Sequence, residues 1–250
     1  MSYVKDLSAE HMWYVLNFGL VMEKEGNREA GTPKSFKFRI DKNLFGREWT
    51  NNIHMFKQRM EECVKILKEQ GYNIVEIKMS VKWKLSIGLG YPTPTETSLQ
   101  IHHTYGVPYI PSSAIKGVLR HWLEQWKVIN YIASVPLAEV FGKTKGRNDG
   151  YSSRGKVIFF DAFPEKVEVD LDIINVHYPK YYAGLEPPHD AQNPNPVHFP
   201  VVVKGEFKFI VGSKDLGNEV LNTLMHELKE ALATIGIGAK TRSGYGRFEI

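Results

Sequence analysis

The sequence predicts an α+β fold whose elements follow the order β-α-β-β-α-β, the split βαβ or ferredoxin-like topology. Apolar and polar residues alternate over residues 81–87, which is typical of a half-buried strand. Residues 114–127 and 217–235 carry apolar side chains at spacings of three and four, which indicates two amphipathic helices. Between those helices the apolar runs 157–163 and 201–211 predict two further strands, and the chain ends in one more short run of this type.

The elements divide into an N-terminal extension with a helix, residues 1–75, and the ferredoxin-like domain, residues 76–250. We expect two insertions in the domain. Residues 142–156 are basic and rich in glycine, and they predict a flexible loop. Residues 164–199 contain several prolines and no clear period, so no regular element is predicted there. The acidic residues that flank apolar segments here are expected in turns: Asp161, Asp170 and Asp172.

Within the extension, the apolar residues between positions 3 and 22 suit a short helix, and the polar stretch 23–34 suits a loop. Residues 47–70 predict a helix that ends at Gly71, because apolar residues recur there at spacings of three and four. Cys63 lies on that apolar stripe and is expected to be a small core residue. The tryptophans also follow apolar periods and are expected mostly in the core: Trp13, Trp49, Trp83, Trp122 and Trp126.

Composition narrows the class of protein. The 250 residues are 42% hydrophobic and 24% charged, which excludes a disordered or collagen-like chain. A single cysteine excludes a disulfide framework and a multi-cysteine zinc site. Neither a signal-peptide pattern nor an apolar run of membrane length is present, so we expect a cytoplasmic protein with no membrane partner.

The net charge of +4 is mild, but its placement is informative. Residues 143–156 hold five cations and one anion, and residues 236–247 hold three cations and no anion. The remainder of the chain is therefore slightly acidic. This distribution indicates local binding of an anionic partner by two basic, glycine-containing loops.

The C-terminal segment 236–247 (GIGAKTRSGYGR) carries the strongest functional signal. Its glycines allow positive φ angles, and the N–H groups of such a loop can form an anion nest. Lys240 and Arg242 add positive charge, and Tyr245 is expected to offer a stacking face for a base. The alternative is a tight turn with solvated charges. A P-loop is not indicated, because the segment follows a helix instead of opening one.

The start of the helix predicted over 114–127 carries a second signal. Ser112 or Ser113 suits the N-cap, and the free N–H groups of a helix start suit an anion. Lys116 and Arg120 are four residues apart and share one helix face. The alternative is a capped amphipathic helix whose two cations are merely solvated.

Together these segments resemble the RAMP superfamily of CRISPR effector proteins (repeat-associated mysterious proteins). Its members share a segment of the type Ile-Pro-x-Ser-Ser-x-Lys-Gly-x-x-Arg and a C-terminal loop of the type G-x-G-x-K-T-R-x-G-Y-G. Here the corresponding residues are 110–120 and 236–246, with Ser112 in place of the usual glycine and Ala114 at the position of the second serine. The order of further segments, including 99–109, 177–182 and 190–199, is similar to the family of sixth subunits of the Cmr (type III-B) effector complex.

The resemblance covers about residues 81–250 and implies an RNA-recognition-motif-like fold decorated by insertions. It implies a non-catalytic subunit that binds guide RNA towards its 3′ end and packs on other Cmr subunits, with the RNA target duplex as a further partner. No cofactor or metal is implied. The residues expected to bind RNA are Ser112, Ser113, Lys116, Arg120, Lys143, Lys145, Arg147, Arg154, Gly238, Lys240, Thr241, Arg242, Gly244 and Tyr245.

Two alternatives remain open at the level of sequence. Family members that cut target RNA use an Asp in the loop after the first strand, whereas Glu96 is the only acid in residues 90–111, so we expect no target cleavage. A metal-independent endoribonuclease that processes guide RNA would instead use a histidine, such as His102 or His103, as general acid or base. The other alternative is a scaffold that contacts proteins only. Residues assigned to RNA or partner contact without a defined role are His102, His103, Tyr178, Tyr181 and Tyr182.

Overall fold

The computed structural model describes residues 20–24, 36–40, 51–91, 97–143, 152–175, 181, 183–187 and 196–250. Helices and strands both contribute, as the sequence predicts. In chain order they are β1 (Leu20–Lys24), β2 (Phe36–Ile40), α1 (Asn51–Glu69), β3 (Asn73–Ser80), α2 (Ser112–His121), a π-helical turn (Trp122–Trp126), β4 (Tyr131–Ile132), β5 (Val135–Pro136), α3 (Leu137–Phe141), β6 (Gly142–Lys143), β7 (Ser153–Arg154), β8 (Ile158–Phe159), β9 (Phe163–Asn175), β10 (Pro196–Ser213), α4 (Asn218–Thr234) and a 3₁₀ turn (Thr241–Ser243).

A four-stranded antiparallel sheet organises the domain around β10. One edge of β10 pairs with β3, and the other edge pairs with β9 and then β8. An isolated antiparallel bridge joins Val81, just after β3, to Phe248 near the C-terminus. The C-terminal residues thus lie beside the continuation of β3, on the side away from β10.

The core forms where the apolar stripes of α2 and α4 meet the sheet. Leu221, Leu224 and Leu228 of α4, at spacings of three and four, are fully buried in the same cluster as Phe207 and Phe209 of β10. Burying each of these side chains stabilises the fold by about 1.5–3 kcal/mol. The helical period that predicts α4 therefore also predicts which face it buries.

The helix predicted over residues 47–70 is confirmed as α1, but one residue of its predicted buried stripe is exposed. The apolar stripe of α1 buries Ile53 and Val64, and Phe56 stacks on Phe163 with ring centroids 3.6 Å apart. Cys63, however, is exposed, so its assignment to the core is wrong. Val64 occupies the buried position, and its neighbour Cys63 is turned about 100° away around the helix axis.

The prediction of a short helix over residues 3–22 is wrong for residues 20–22, which belong to β1. Residues 23 and 24, expected in a loop, also belong to β1. β1 pairs antiparallel with β2, from Leu20 opposite Ile40 to Lys24 opposite Phe36. A pairing across more than ten residues decides this strand, and local periodicity does not reveal it. The other residues of 3–34 lie outside the described part of the chain.

The segment after Gly71 forms a strand earlier than the alternation indicates. β3 covers Asn73–Ser80 and therefore runs across the predicted domain boundary at 76, and the alternating residues 81–87 form no regular strand. Their backbone bonds are divided between partners: Leu85 bridges to Val202, and the Lys82 N–H donates to the carbonyl of Arg247 at 2.8 Å. The predicted last strand, 246–250, is likewise reduced to the single bridge at Phe248.

The prediction that residues 164–199 hold no regular element is also wrong. β9 covers Phe163–Asn175, and its long antiparallel ladder with β10 contains two register shifts. Val167 and Val169 are buried, whereas Glu168 is half-buried and Asp170 is exposed, which is the period of two that a half-buried strand requires. Asp170 and Asp172 therefore lie in a strand and not in turns. The predicted strand 157–163 divides into β8 and the first residue of β9, with Asp161 between them.

The helix predicted over residues 114–127 begins earlier and ends in a different geometry. Its α-helical part is Ser112–His121, and the chain then continues as the π-helical turn. Trp122 is buried as expected. Trp126 is 59% exposed and Trp83 is 50% exposed, so the prediction that these two tryptophans lie in the core is wrong.

Candidate nucleic-acid interface

The glycine-rich loop, residues 236–247, adopts a backbone conformation that favours glycine at four positions. Gly236, Gly238, Gly244 and Gly246 all have positive φ, between 71° and 93°. A Cβ at Gly246 would overlap the carbonyl of Ile237, so a side chain there is excluded by space as well as by conformation. The glycines are therefore required by the turn itself.

Backbone hydrogen bonds clamp this loop to the segment after β3. The Ala239 N–H donates to the carbonyl of Ser86 at 2.7 Å, and the Gly246 N–H donates to the carbonyl of Lys84 at 2.7 Å. Internal bonds use several further N–H groups. Those of Thr241 and Arg242, which open the 3₁₀ turn, donate to none of the described residues, so two adjacent donors remain available to an anion.

The cations of the loop are not neutralised within the described part of the chain. Arg242 and Arg247 are exposed, and no described carboxylate lies within ion-pair distance of either. Lys240, which has a positive φ of 57°, is half-buried and holds its Nζ 5.1 Å from the centroid of the Phe199 ring. Exposed Lys82 is joined to this loop through the carbonyl of Arg247. The loop therefore presents net positive charge to solvent.

Tyr245 does not offer the open stacking face that the sequence suggests, because it is only 8% exposed. Its hydroxyl donates to Asp172 Oδ2 at 2.5 Å, and Lys84 Nζ donates to the same oxygen at 2.8 Å. Burial, together with the hydrogen bond to Asp172, raises the pKa of Tyr245 to about 12. Burial would raise the pKa of Asp172, but the hydrogen bonds from Lys84 and Tyr245 outweigh it and the pKa is lowered. Tyr245 is thus an internal anchor of the loop.

Trp83 is the residue of this site that sequence reasoning missed. It is 50% exposed, and its ring centroid lies 4.9 Å from that of Tyr245. Lys84 Nζ lies 5.0 Å from the centroid of the same ring, a cation–π distance. The sequence signal for a nucleic-acid contact at Trp83 is its place between two lysines, Lys82 and Lys84. The alternating pattern of residues 81–87 instead predicts that Trp83, at an odd position, lies in the core.

The start of α2 differs from the predicted phosphate site. The N-cap residue is Pro111, which has no capping side chain, so neither Ser112 nor Ser113 is the capping residue. Instead the Ser112 N–H donates to Asp161 Oδ1 at 2.6 Å. A carboxylate of the chain itself thus occupies the helix start where an anion was expected, and it would repel a phosphate there.

Only some of the cations predicted to bind RNA in α2 and in the basic loop lie close to one another. Arg120 Nε pairs with Glu124 at 2.8 Å, whereas half-buried Lys116 has no described carboxylate partner. Arg120 and Lys143 line one shallow groove of about 390 Å³. Arg154 is exposed opposite Gly142 in the β6–β7 hairpin. Four predicted contact residues lie outside the described part of the chain: Lys145, Arg147, Tyr178 and Tyr182.

The two histidines differ in their surroundings. His102 is half-buried, and its ring packs against those of Tyr105, Tyr109 and Phe163, with the nearest centroid 4.9 Å away. Its Nδ1 accepts the Thr104 N–H at 3.2 Å, and burial lowers the pKa of the ring. His103 is exposed, as is Tyr181.

A short chain of backbone bonds links the glycine-rich loop to the start of α2. Ile87, next to the loop's partner Ser86, accepts the Gln100 N–H at 2.7 Å, and the Gln100 carbonyl accepts the Tyr109 N–H at 3.2 Å.

Within the described ranges, no group of three or more His, Cys, Asp or Glu side chains is arranged to hold a metal ion. The helices described here include none with the length and apolar character needed to cross a membrane.

Comparison with known proteins relates both fold and sequence to CRISPR proteins. A solved structure described as the type III-B Cmr-beta complex bound to cognate target RNA contains a chain with the same fold, at a TM-score of 0.63 and 22% identity. The match covers 83% of this chain and 69% of that chain.

Two relatives by sequence are named as Cmr6 subunits of CRISPR systems. The protein of Pyrococcus furiosus is 33% identical over 68% of this chain, which spans only 66% of that relative's length. The protein of Saccharolobus solfataricus is 24% identical over 94% of this chain and 79% of its own length. The model of the RAMP superfamily matches residues 84–249, which include both sequence motifs, the start of α2 and the glycine-rich loop. The resemblance predicted from the two motifs is therefore confirmed, and the chain belongs to the RAMP superfamily.

Proposed function

We propose that this chain is a subunit of a type III-B CRISPR (Cmr) effector complex that binds guide RNA through its glycine-rich loop. The observation that carries the proposal is the loop itself. Its clamped backbone leaves the N–H groups of Thr241 and Arg242 open and holds three cations that no described carboxylate neutralises. Fixed donors and unpaired cations on a rigid loop suit a phosphodiester backbone and carry no base specificity.

The partners of the chain follow from its relatives. Two are named as Cmr6 subunits, and a chain of similar fold belongs to a Cmr complex bound to target RNA. We therefore propose guide RNA towards its 3′ end, the RNA target duplex and neighbouring Cmr subunits as its partners. The exposed cations Lys143 and Arg154 of the β6–β7 hairpin, with Lys116 of α2, extend the proposed contact surface beyond the loop.

The proposed architecture is the ferredoxin-like one. The spatial order Phe248, β3, β10, then β8 and β9 is compatible with it, since every pairing along this path is antiparallel. α2 follows β3 and α4 follows β10, as the β-α-β-β-α-β order requires. In this proposal the residues before β3 form an extension, and its helix α1 packs on the domain through Phe56 and Phe163.

The chain is proposed to bind RNA without cutting it. His102, one of the two histidines considered for cleavage, is packed among aromatic rings and holds its Nδ1 against backbone N–H groups. These contacts suit a structural role better than a general acid or base that must reach a ribose.

The proposal is tested by the salt dependence of guide-RNA binding, measured with the full chain and with the assembled complex. Loss of two phosphate contacts on a single strand lowers the slope of log K against log salt by about 1.4. At 0.15 M salt this corresponds to about tenfold weaker binding. We expect this result for the double variant Lys240→Ala, Arg242→Ala.

The matched control is a second double variant that removes two exposed lysines elsewhere, Lys65→Ala in α1 and Lys214→Ala after β10. If the two double variants change the affinity for guide RNA and its salt slope equally, the loop has no special role. If guide RNA neither binds nor crosslinks to the wild-type chain in the complex, the chain is a protein-only scaffold. Discrete cleavage of repeat RNA in chelator, abolished by His102→Ala or His103→Ala, would instead establish an endoribonuclease.

A further inference from the structure

We infer that Trp83 is a stacking platform for one nucleobase of single-stranded RNA held on the glycine-rich loop. The inference rests on the proposed function, because it presumes that RNA lies on this loop. It goes further by assigning the contact to an aromatic residue outside the loop, in place of Tyr245.

The position of Trp83 joins an open aromatic surface to the charged loop. The indole is 50% exposed, and it lies close to Gly244, where an added methyl group would sit 3.8 Å from its six-membered ring. Its sequence neighbour Lys82 is exposed and bonded to the backbone of Arg247. A base on the indole would thus have its phosphates within the region of Arg242 and Arg247, the arrangement by which single strands are usually held.

The indole of Trp83 is supported by two neighbours. Tyr245 and Lys84 both bind Asp172 Oδ2, and the Tyr245 ring centroid and Lys84 Nζ lie 4.9 and 5.0 Å from the centroid of the indole. With these neighbours in place, Trp83 is still 50% exposed. The exposed part of the ring offers a surface suited to a flat, apolar partner.

The support is rigid, which reduces the entropic cost of binding. The flanking residues Val81 and Leu85 are buried and bridged to Phe248 and Val202, so the backbone on either side of Trp83 is fixed. Tyr245 is buried and held by its bond to Asp172. A ring presented by such a frame loses little freedom when a base stacks on it.

Stacking is tested by the affinity of the full chain for a single-stranded RNA oligonucleotide and for the same oligonucleotide with abasic nucleotides. Trp83→Ala is expected to weaken binding of the normal strand about 5- to 150-fold, the usual range for one stacked base. Trp83→Phe should retain most of the affinity, and Trp83→Leu should not. The salt slope should stay at the wild-type value, because no charge is removed. The abasic strand should bind wild type and Trp83→Ala equally.

The matched control is Trp126→Ala, which removes a tryptophan 59% exposed on the π-helical turn and should leave affinity unchanged. RNA-dependent quenching of tryptophan fluorescence should vanish in Trp83→Phe and persist in Trp126→Phe. Urea unfolding of each variant separates loss of stacking from loss of the fold.

Each outcome decides between the two claims. If wild type binds RNA and the loop variants weaken it, but Trp83→Ala binds normally, the stacking inference is overturned and the proposed function survives. If Trp83→Ala binds RNA normally but fails to assemble with neighbouring subunits, Trp83 is a protein contact. If wild type does not bind RNA at all, both claims fail.

Discussion

The bond between Tyr245 and Asp172 gives a prediction whose size follows from the structure. Tyr245→Phe removes one hydroxyl from a buried ring and leaves its packing against Trp83 and Phe199 in place. The lost bond joins a hydroxyl to an ionised carboxylate at 2.5 Å, and bonds of this kind contribute about 1.5–3 kcal/mol. Lys84 still pairs with Asp172 in the variant, so the carboxylate is not left alone.

We therefore expect Tyr245→Phe to lower the free energy of unfolding by about 2 kcal/mol, which at this chain length lowers Tm by about 4–8 °C. The assay is urea unfolding of the full chain at pH 7. The control is Tyr131→Phe, which changes a phenol that is 62% exposed and should have no measurable effect.

The same bond has a predicted dependence on pH. The folded pKa of Asp172 is lowered, so its stabilising contribution is present above its unfolded pKa, about 3.9, and is lost as the pH falls through the folded value. The folded pKa of Tyr245 is raised to about 12, so its contribution is present below its unfolded pKa, about 10, and is lost as the pH rises from there towards 12. The difference between wild type and Tyr245→Phe should shrink at both extremes.

Two results would refute this reasoning. One is a Tyr245→Phe midpoint that coincides with those of wild type and Tyr131→Phe. The other is strict additivity of Tyr245→Phe and Asp172→Asn in a double-mutant cycle, because residues joined by this bond must show coupling.

Further predictions concern four single residues. Gly246→Ala should destabilise the fold by more than about 2 kcal/mol, because the methyl group overlaps a backbone carbonyl as well as requiring a positive φ. Gly244→Ala should cost only the conformational part, about 1–2 kcal/mol, and equal urea midpoints for these two variants would contradict the steric argument. Ser86→Ala should raise the stability by about 1 kcal/mol or more, because the buried Ser86 hydroxyl finds no hydrogen-bond partner among the described residues, and a lowered Tm would show that it has one. Cys63, being exposed, should react with a thiol reagent in the folded protein at nearly the rate of a free thiol, and protection until unfolding would place it in an interface.

Local patterns were sufficient where burial is one-sided and regular. The spacing of Leu221, Leu224 and Leu228 predicted α4 and its buried face, because a helix can bury such a stripe in only one way. The glycines of residues 236–246 similarly predicted a turn with positive φ. The two motifs that indicate the RAMP superfamily could also be recognised from the sequence, because each of them is defined by residue types at fixed positions and not by contacts between distant parts of the chain.

What the sequence by itself determined about this protein was its family, its main helices and the basic, glycine-rich loop as a candidate site. The tertiary structure alone decided which aromatic ring of that site is open and which helix start is already occupied. The buried Tyr245 donates its hydroxyl to Asp172, on a strand 73 residues away, and the Ser112 N–H donates to Asp161, 49 residues distant. Trp83 is exposed within a segment whose residues divide their backbone hydrogen bonds between β10 and the C-terminal loop instead of forming one ladder. These pairings are contacts between distant parts of the chain, and no period or motif in a local window encodes them.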